Sequence, residues 1–190
     1  MNDYPSLLMK KEISKDELAK TIKDAKRGDS DTLAKLCEYV YAKIYSYIYY
    51  RVNHREDAED LTSEVVLKVV KALKTQRGNF HAWIYKIATN VVIDFYRRQA
   101  VRSGVSLSEM NYEIPDKSTN LSEQVLTQDS LSRALSNLTE KQSQVVILKF
   151  IEGYSNEEIA KIIGKSIGAV KLLQFRALKS IREYFSGEEL

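Results

Sequence analysis

The sequence predicts an all-α protein made of two small helical domains joined by a flexible linker. The 190 residues include seven glycines and two prolines, too few for the many turns of a β-sandwich or barrel. Apolar residues recur at helical spacing behind Ser, Thr and Asp residues of the kind that begin helices. Residues 101–120 lack this spacing, which places the linker between the two domains.

The first two helices are predicted by their N-terminal residues and by their apolar faces. A capping box at Ser14 and Glu17 begins the first helix, and Asp29 or Asp31 caps the second. Residues 39–52 also alternate as a strand does and are rich in aromatic and β-branched types. The helical spacing starts before them and no turn signal interrupts it, so we predict a helix there.

Two further helices complete the predicted first domain. Asn53 with Glu56 begins the third helix, whose core face carries leucines and valines at helical spacing. A polar loop at residues 75–81 separates it from a fourth helix at residues 83–98.

Capping patterns also predict the helices beyond the linker. Three such helices begin at Asn120 with Glu123, at Thr139 with Gln142 and at Ser155 with Glu158. The expected boundaries are a tail at 1–13, a first domain at 14–100, the linker at 101–120 and a second domain at 121–187.

The composition excludes several classes of protein. One cysteine excludes a disulfide framework and a Cys-rich metal site, and the two histidines lack partners at metal-binding spacing. No phosphate-binding loop or nucleophile elbow is present. No apolar run approaches the ~20 residues that a membrane span needs. We therefore expect a soluble, cytoplasmic protein with no catalytic residue, no cofactor, no metal and no membrane insertion.

Residues 155–184 have the pattern of a helix-turn-helix. Gly164 permits the left-handed turn, Ser166 caps the second helix, and Ile167 and Val170 are expected to lock the pair. A helical wheel predicts an inner face of Leu173, Gln174, Ala177, Ile181 and Tyr184. The outer face consists of Gly168, Lys171, Leu172, Phe175, Arg176, Lys179 and Arg182. Such a face suits a DNA major groove, and an ordinary solvated surface helix is the alternative.

The motifs of both halves resemble those of bacterial sigma-70-type factors. The resemblance to region 4 lies at residues 138–142, 152–160, 168–171 and 176–177. The resemblance to region 2 lies at 28–29, 58–65, 82–90 and Asp94. The two sets leave no room for a region 3 domain, and this two-domain layout is that of the extracytoplasmic-function group.

The resemblance implies a subunit that gives RNA polymerase its promoter specificity. Such a protein binds core polymerase at the β′ clamp helices and the β flap, recognises the −10 and −35 promoter elements, and promotes initiation. An anti-sigma factor is a further partner common in this group. The polymerase, and not this chain, would carry out catalysis.

The resemblance also implies roles for three sets of residues. The stripe expected to bind core polymerase consists of Asp60, Ser63, Glu64, Leu67 and Lys71, with Ser63 standing where the family usually has Gln. The set expected at the −10 element consists of Phe80, Lys86, Asn90, Asp94, Arg97 and Arg98. The set expected at the −35 element consists of Ser166, Gly168, Lys171, Leu172, Phe175, Arg176 and Lys179.

Plainer interpretations of these residues remain open at this point. The stripe could be a solvated acidic face, and Asp94 could pair with Arg97 or Arg98. Gln174 stands where the family often has Leu, so its amide needs a polar partner or has to shift outward. A stand-alone helix-turn-helix regulator would explain residues 138–185 but not the motifs at 58–98. An all-helical enzyme would lack a catalytic cluster.

Overall fold

The structure, a computed structural model, describes residues 13–103 and 128–187, which contain helices and no strand. Helices α1 to α8 span Lys15–Lys26, Ser30–Val52, Arg55–Ala72, Phe80–Ser103, Gln128–Ser136, Glu140–Val146, Asn156–Ile163 and Ile167–Ser186. A 3-10 turn, Leu73–Thr75, follows α3, and a π-helical segment, Ile147–Ile151, continues α6. The all-α prediction is confirmed.

The predicted N-caps are confirmed in five helices, α1, α2, α6, α7 and α8. The Ser14 hydroxyl accepts the backbone N–H of Glu17 at 3.2 Å, and the Asp29 carboxylate accepts that of Thr32 at 2.6 Å. Thr139 and Ser155 form reciprocal capping boxes, in which the side chain three residues later bonds back to the cap. These bonds satisfy backbone donors that a helix start leaves unpaired.

The predicted start of α3 at Asn53 is wrong by one residue. Asn53 instead ends α2 with a left-handed backbone, φ 52°, which Asn tolerates better than most residues. The neighbouring His54 caps α3, where its Nδ1 accepts the backbone N–H of Asp57 at 3.5 Å.

Helix α4 is longer than predicted at both ends. Asn79 begins it, because its side-chain oxygen accepts the Ala82 N–H at 2.8 Å. No helix-breaking residue precedes Gly104, and α4 runs through residues 101–103, which were assigned to the linker. The predicted helix start at residues 120–123 lies outside the described residues.

In the first domain, α2 packs against α1, α3 and α4. Each of these helices buries one apolar stripe, as the spacing predicted. The buried stripes are Leu36, Val40, Ile44 and Ile48 on α2, Leu61, Val65 and Val69 on α3, and Ile84, Ala88 and Val91 on α4.

In the second domain, α8 packs against α5, α6 and α7. Gly164 ends α7 with φ 66°, the left-handed turn expected of a helix-turn-helix. Val170 and Ala177 of α8 are fully buried, but Ile167 and Tyr184, predicted to face inward, are 40% and 41% exposed. These two lie in the first and last turns of α8, where fewer neighbouring helices cover the side chains. Val170 therefore locks the pair without Ile167.

The two domains share one continuous hydrophobic core. Helix α4 contacts α7, and α2 contacts both α5 and the π-helical segment. The linker prediction implied two separate cores, and the buried contact between the domains was not foreseen.

Candidate nucleic-acid and protein interfaces

The predicted polymerase-binding stripe lies on the surface of α3, opposite its buried valines. Asp60, Ser63 and Lys71 are exposed, and Leu67 is 60% exposed, which is high for a large apolar side chain. Glu64 is half-buried and pairs with two cations. Its carboxylate lies 3.0 Å from Lys68 Nζ and 3.7 Å from an Arg98 guanidinium nitrogen. The stripe therefore combines an exposed leucine with one carboxylate that is already held in place.

Helix α4 presents five of the six residues predicted at the −10 element on its accessible side. Lys86 and Asn90 are exposed, and Asn90 forms no side-chain hydrogen bond within the described chain. Arg97 is exposed and lies 3.3 Å from the Asp94 carboxylate, so the ion pair expected as the alternative role of Asp94 is present. Arg98 pairs with Glu64. Asn90 is therefore the amide on this surface most available to another molecule.

The structure corrects the placement of Phe80. Its side chain is 8% exposed and its ring lies 5.8 Å from that of Trp83 and 6.4 Å from that of His81. Because Asn79 starts α4, Phe80 is the first helical residue and turns into the core. It does not form the exposed wall of a base-binding pocket.

The loop before α4 is held by a residue that sequence reasoning missed. Gln76 is buried, and Lys26 Nζ donates to both its backbone and side-chain oxygens at 2.8 Å. The Gln76 amide in turn donates to Gly78 O at 3.0 Å. A polar loop residue carries no periodic signal, so its burial was not predictable from the sequence.

The predicted outer face of α8 is exposed at every position. Its members are Gly168, Lys171, Leu172, Phe175, Arg176, Lys179 and Arg182. Phe175 is 68% exposed. Lys179 lies 3.3 Å from Glu183, and the Ser166 hydroxyl accepts the Ala169 N–H at 3.2 Å as the helix cap. Lys171 and Arg176 form no ion pair among the described residues.

Both halves of the chain match known protein families. Residues 36–102 match the family Sigma-70 region 2, and residues 128–181 match the family Sigma-70, region 4. Over 166 residues the chain is 30% identical to the ECF RNA polymerase sigma factor SigX of Bacillus subtilis, covering 81% of this chain and 84% of SigX. The chain belongs to the extracytoplasmic-function group of the sigma-70 family.

Further sigma factors are similar to this chain in sequence or in fold. The ECF RNA polymerase sigma factor BldN of Streptomyces coelicolor is 33% identical over 165 residues, which cover 84% of this chain and 62% of BldN. The structure of CnrH in complex with the cytosolic domain of CnrY matches with TM-score 0.65 at 20% identity, over 89% of this chain and 97% of that one. The sigma factor RpoE, in complex with the anti-sigma factor NepR from Bartonella quintana, matches with TM-score 0.60 at 22% identity, over 79% and 94%. At these identities the two structures show a shared fold.

In this sigma factor, Gln174 finds the polar partner that its inward position requires. Its Nε2 donates to Asn156 Oδ1 at 2.9 Å, which ties α8 to the first residue of α7. Gln174, which stands where the family often has Leu, thus forms its hydrogen bond inside the helix-turn-helix and does not point into the outer face.

Replacing Asn156 by alanine should destabilise the sigma factor by about 1 kcal/mol, because the half-buried Gln174 amide loses its acceptor. Changing both residues, Asn156→Ala with Gln174→Leu, should recover much of this loss, since no buried amide is then left unpaired. Urea unfolding followed by circular dichroism measures both effects. A double variant less stable than Asn156→Ala alone would contradict this role.

An aromatic and acidic cluster lies where the two domains meet. The Tyr154 ring lies 5.8 Å from the His81 ring and 5.6 Å from the Tyr85 ring, and the Tyr85 hydroxyl donates to Glu152 Oε2 at 3.3 Å. We call these four residues the domain seam. Sequence reasoning missed them, because no local pattern links residues so far apart in the chain.

Burial governs the ionisation of the groups around the domain seam. It raises the pKa of Tyr39 to about 12, and the negative charge of Glu152 acts in the same direction. Burial lowers the pKa of His81, helped by the nearby Lys43 ammonium. A neutral His81 then shares a hydrogen bond with the Tyr39 hydroxyl at 2.8 Å.

The described residues contain neither a metal-binding cluster nor a membrane-spanning helix. No cluster of three or more His, Cys, Asp or Glu side chains suited to a metal ion occurs within 13–103 and 128–187. None of the helices described there is long and apolar enough to cross a membrane.

Proposed function

We propose that this sigma factor gives RNA polymerase its promoter specificity through three helix surfaces. In the first domain, residues 14–100, the α3 stripe binds core polymerase and the α4 surface binds the −10 element. In the second domain, residues 121–187, the outer face of α8 binds the −35 element. The observation that carries the proposal is that α8 buries Val170 and Ala177 against the other helices while every residue of its cationic outer face is exposed.

The chemistry of α8 supports recognition of duplex DNA. An α-helix fits the major groove, where the residues near its start reach base edges. Lys171 and Arg176 are exposed and unpaired in the described residues, so they can donate to a guanine edge or to phosphate. Lys179 lies further along the helix and suits a phosphate contact, which releases counterions.

The α4 surface suits a separated strand. Opening the −10 element requires unstacking a base at a cost of a few kcal/mol, which contacts to that base must offset. Asn90 can both donate to and accept from a base edge, and Lys86 and Arg97 can contact the backbone on either side of it. Because Phe80 lies in the core, we assign the base contact to Asn90.

The partners follow from these surfaces. Core polymerase would hold the α3 stripe with its β′ clamp helices and the second domain with its β flap, and it would supply all catalysis in the cytoplasm. RpoE has been seen with the anti-sigma factor NepR, and we propose an anti-sigma partner for this chain also. A stand-alone helix-turn-helix regulator is not favoured, because it leaves the region 2 match without a role.

A reconstitution tests the proposal directly. The purified chain should co-purify with core RNA polymerase and should allow run-off transcription from promoters of its own regulon. Core polymerase without the chain is the control. A chain that binds promoter duplex without polymerase, and gives no transcript with it, would support the stand-alone regulator instead.

Asn90→Ala should impair promoter opening while leaving duplex binding at the −35 element intact, because Asn90 contacts the separated strand. We expect permanganate reactivity of unpaired thymines to fall about tenfold, as expected for the loss of one base contact. Glu38→Ala, an exposed change on α2, is the surface control. Loss of duplex binding with normal opening of the bound promoter would reverse the roles assigned to the two domains.

A further inference from the structure

The loop that precedes α4 is anchored to α1 by hydrogen bonds between two side chains. Lys26 lies in the last turn of α1, and its Nζ donates to the backbone oxygen and to Oε1 of Gln76, both at 2.8 Å. Gln76 is 6% exposed, and its Nε2 donates to Gly78 O at 3.0 Å. Because a buried amide is costly to leave unpaired, these bonds hold the loop backbone in one conformation.

Arg77 is the exposed side chain that this anchored loop presents. Its Nη1 donates to Lys74 O at 3.1 Å and to Gln76 O at 3.0 Å. The Gln76 carbonyl therefore accepts from both Lys26 and Arg77, and it links the half-buried ammonium to the exposed guanidinium through a single oxygen. Both bonds of Arg77 use Nη1, so the other N–H donors of its planar guanidinium can bind a further molecule.

The loop lies in line with the α4 surface that carries Asn90. Asn79 comes directly before the first residue of α4, and Asn90 follows it eleven positions later, which is about three helical turns. Both side chains are exposed, so they lie on the same side of the helix. Eleven residues rise about 17 Å, the length that about five nucleotides of a stacked strand cover at ~3.4 Å each. A strand bound along α4 toward the start of the helix therefore reaches the loop.

We propose that Lys26 is a positioning residue for −10 recognition, which acts through Gln76 to hold Arg77 against a second base of the separated strand. This base lies a few nucleotides from the one assigned to Asn90. A guanidinium can stack on an unstacked base or donate to its edge. Lys26 lies outside residues 36–102, which match region 2, so the family match does not include it. The inference rests on the proposed function, because it takes α4 as the −10 surface.

The loop needs this anchor because its own backbone is permissive. Gly78 adopts a left-handed conformation, φ 74°, and glycine also populates many other conformations at little cost. A loop that must be ordered when DNA binds loses affinity to that ordering, whereas one already held in its bound conformation does not. The bonds from Lys26 to Gln76 supply that order before DNA arrives, so their loss should weaken the contact of Arg77 without unfolding the domain.

Three variants separate positioning from contact. Lys26→Met removes the ammonium and retains most of the side-chain length, so it releases Gln76 while leaving the surface of α1 covered. Arg77→Ala removes the proposed base contact itself and leaves the bonds between Lys26 and Gln76 in place. Lys23→Met is the matched control, because Lys23 is the other lysine in the last turn of α1 and is exposed.

Promoter opening by the polymerase holoenzyme is measured by permanganate reactivity on a promoter that the chain transcribes, with each −10 position changed singly. Arg77→Ala should lower the base preference about tenfold at one position, which differs from the position that Asn90→Ala relaxes. Lys26→Met should relax the same position as Arg77→Ala by at least about threefold. The variant with both changes should lose no more than Arg77→Ala alone, because the two residues act on one contact. Affinity for core polymerase and preference at the −35 element should not change.

Three results would overturn the proposal. The first is a Lys26→Met protein with the same −10 preferences as Lys23→Met. The second is a Lys26→Met protein that opens every promoter variant less well by the same factor, since Lys26 would then only support the fold. The third is an Arg77→Ala protein with unchanged preferences, and this variant should fold because Arg77 is exposed. Failure of the proposed function looks different, because the unaltered chain would then show no −10 preference, and the inference would fall with it.

Discussion

Changing Asp60 and Leu67 together to alanine is expected to weaken binding of core polymerase by at least about tenfold. Leu67 is 60% exposed, and burying such a side chain in a helix–helix contact contributes about 1.5–3 kcal/mol. A tenfold change in affinity corresponds to about 1.4 kcal/mol of binding free energy, so the loss of this leucine alone accounts for the expected change. Asp60 adds a charge contact at the edge of the same surface, which affects association rate more than final affinity.

The double variant leaves Glu64 in place for a structural reason. Glu64 holds Lys68 and Arg98, so its removal would disturb the α4 surface as well as the α3 stripe. Asp60 and Leu67 are both exposed, and their replacement should lower the free energy of unfolding by less than about 1 kcal/mol. Polymerase binding and folding can therefore be separated in one protein.

Biolayer interferometry with immobilised core polymerase measures the affinity, and circular dichroism measures the helicity. Glu38→Ala with Phe150→Ala is the matched control, since it removes one exposed carboxylate and one exposed apolar side chain that lie outside α3 and α4. If the Asp60 and Leu67 variant binds as tightly as this control, the α3 stripe is not the polymerase contact.

Helix starts were predictable because their signals are local. At Ser14, Thr139 and Ser155 the cap and its partner lie three residues apart, so the hydrogen bond needs no information about the rest of the fold. Asn53 was misassigned because Asn suits both the end of one helix and the start of the next. The left-handed conformation that decides between them depends on the turn into α3.

Surface exposure was predictable in the middle of helices and unreliable at their ends. The wheel placed Lys171 and Phe175 correctly, since neighbours on both sides fix which face of α8 is buried. Phe80 and Ile167 lie in first turns, where exposure depends on where the helix begins and what covers that end. Phe80 was assigned to the loop before α4, and the wheel treated Ile167 as if the helix continued in both directions.

The domain seam could not be predicted from capping patterns or from the helical wheel. Tyr85 and Tyr154 belong to separate domains, and each lies in a stretch whose local pattern is explained without the other. Their contact depends on the relative position of two folded units, which sequence periodicity does not encode. Glu152 is the residue that might have drawn attention, because a carboxylate between apolar stretches must find a buried partner or face solvent.

Loss of Lys171 and Arg176 together should weaken binding of the polymerase holoenzyme to a −35 duplex by at least about a hundredfold. Each base contact is worth about 1–3 kcal/mol, and each single change should relax the sequence preference at one position. Both cations are exposed on the α8 outer face with no ion partner in the described residues. Neither has a role in packing, so the domain should remain folded.

Lys179→Ala is the comparison that separates base contacts from phosphate contacts. It should weaken binding to every duplex alike and lower the slope of log affinity against log salt by about one unit. In the free protein Lys179 pairs with Glu183 at 3.3 Å, and DNA must compete with that carboxylate. Glu183→Gln should therefore strengthen binding slightly without changing sequence preference, because it frees the ammonium for phosphate.

Fluorescence anisotropy over a series of single-base changes and salt concentrations distinguishes the two kinds of contact, with Lys35→Ala on α2 as the charge-matched control. A base contact appears as a preference lost at one position and a salt slope reduced by at most one unit. A phosphate contact appears as an equal loss of affinity for every duplex.

If Lys171→Ala and Arg176→Ala behave as Lys179→Ala does, the cations of α8 contact only the phosphate backbone of the duplex. Sequence discrimination at the −35 element would then have to come from apolar contacts of Leu172 and Phe175 with thymine methyl groups, since these are the remaining exposed side chains in the middle of the outer face.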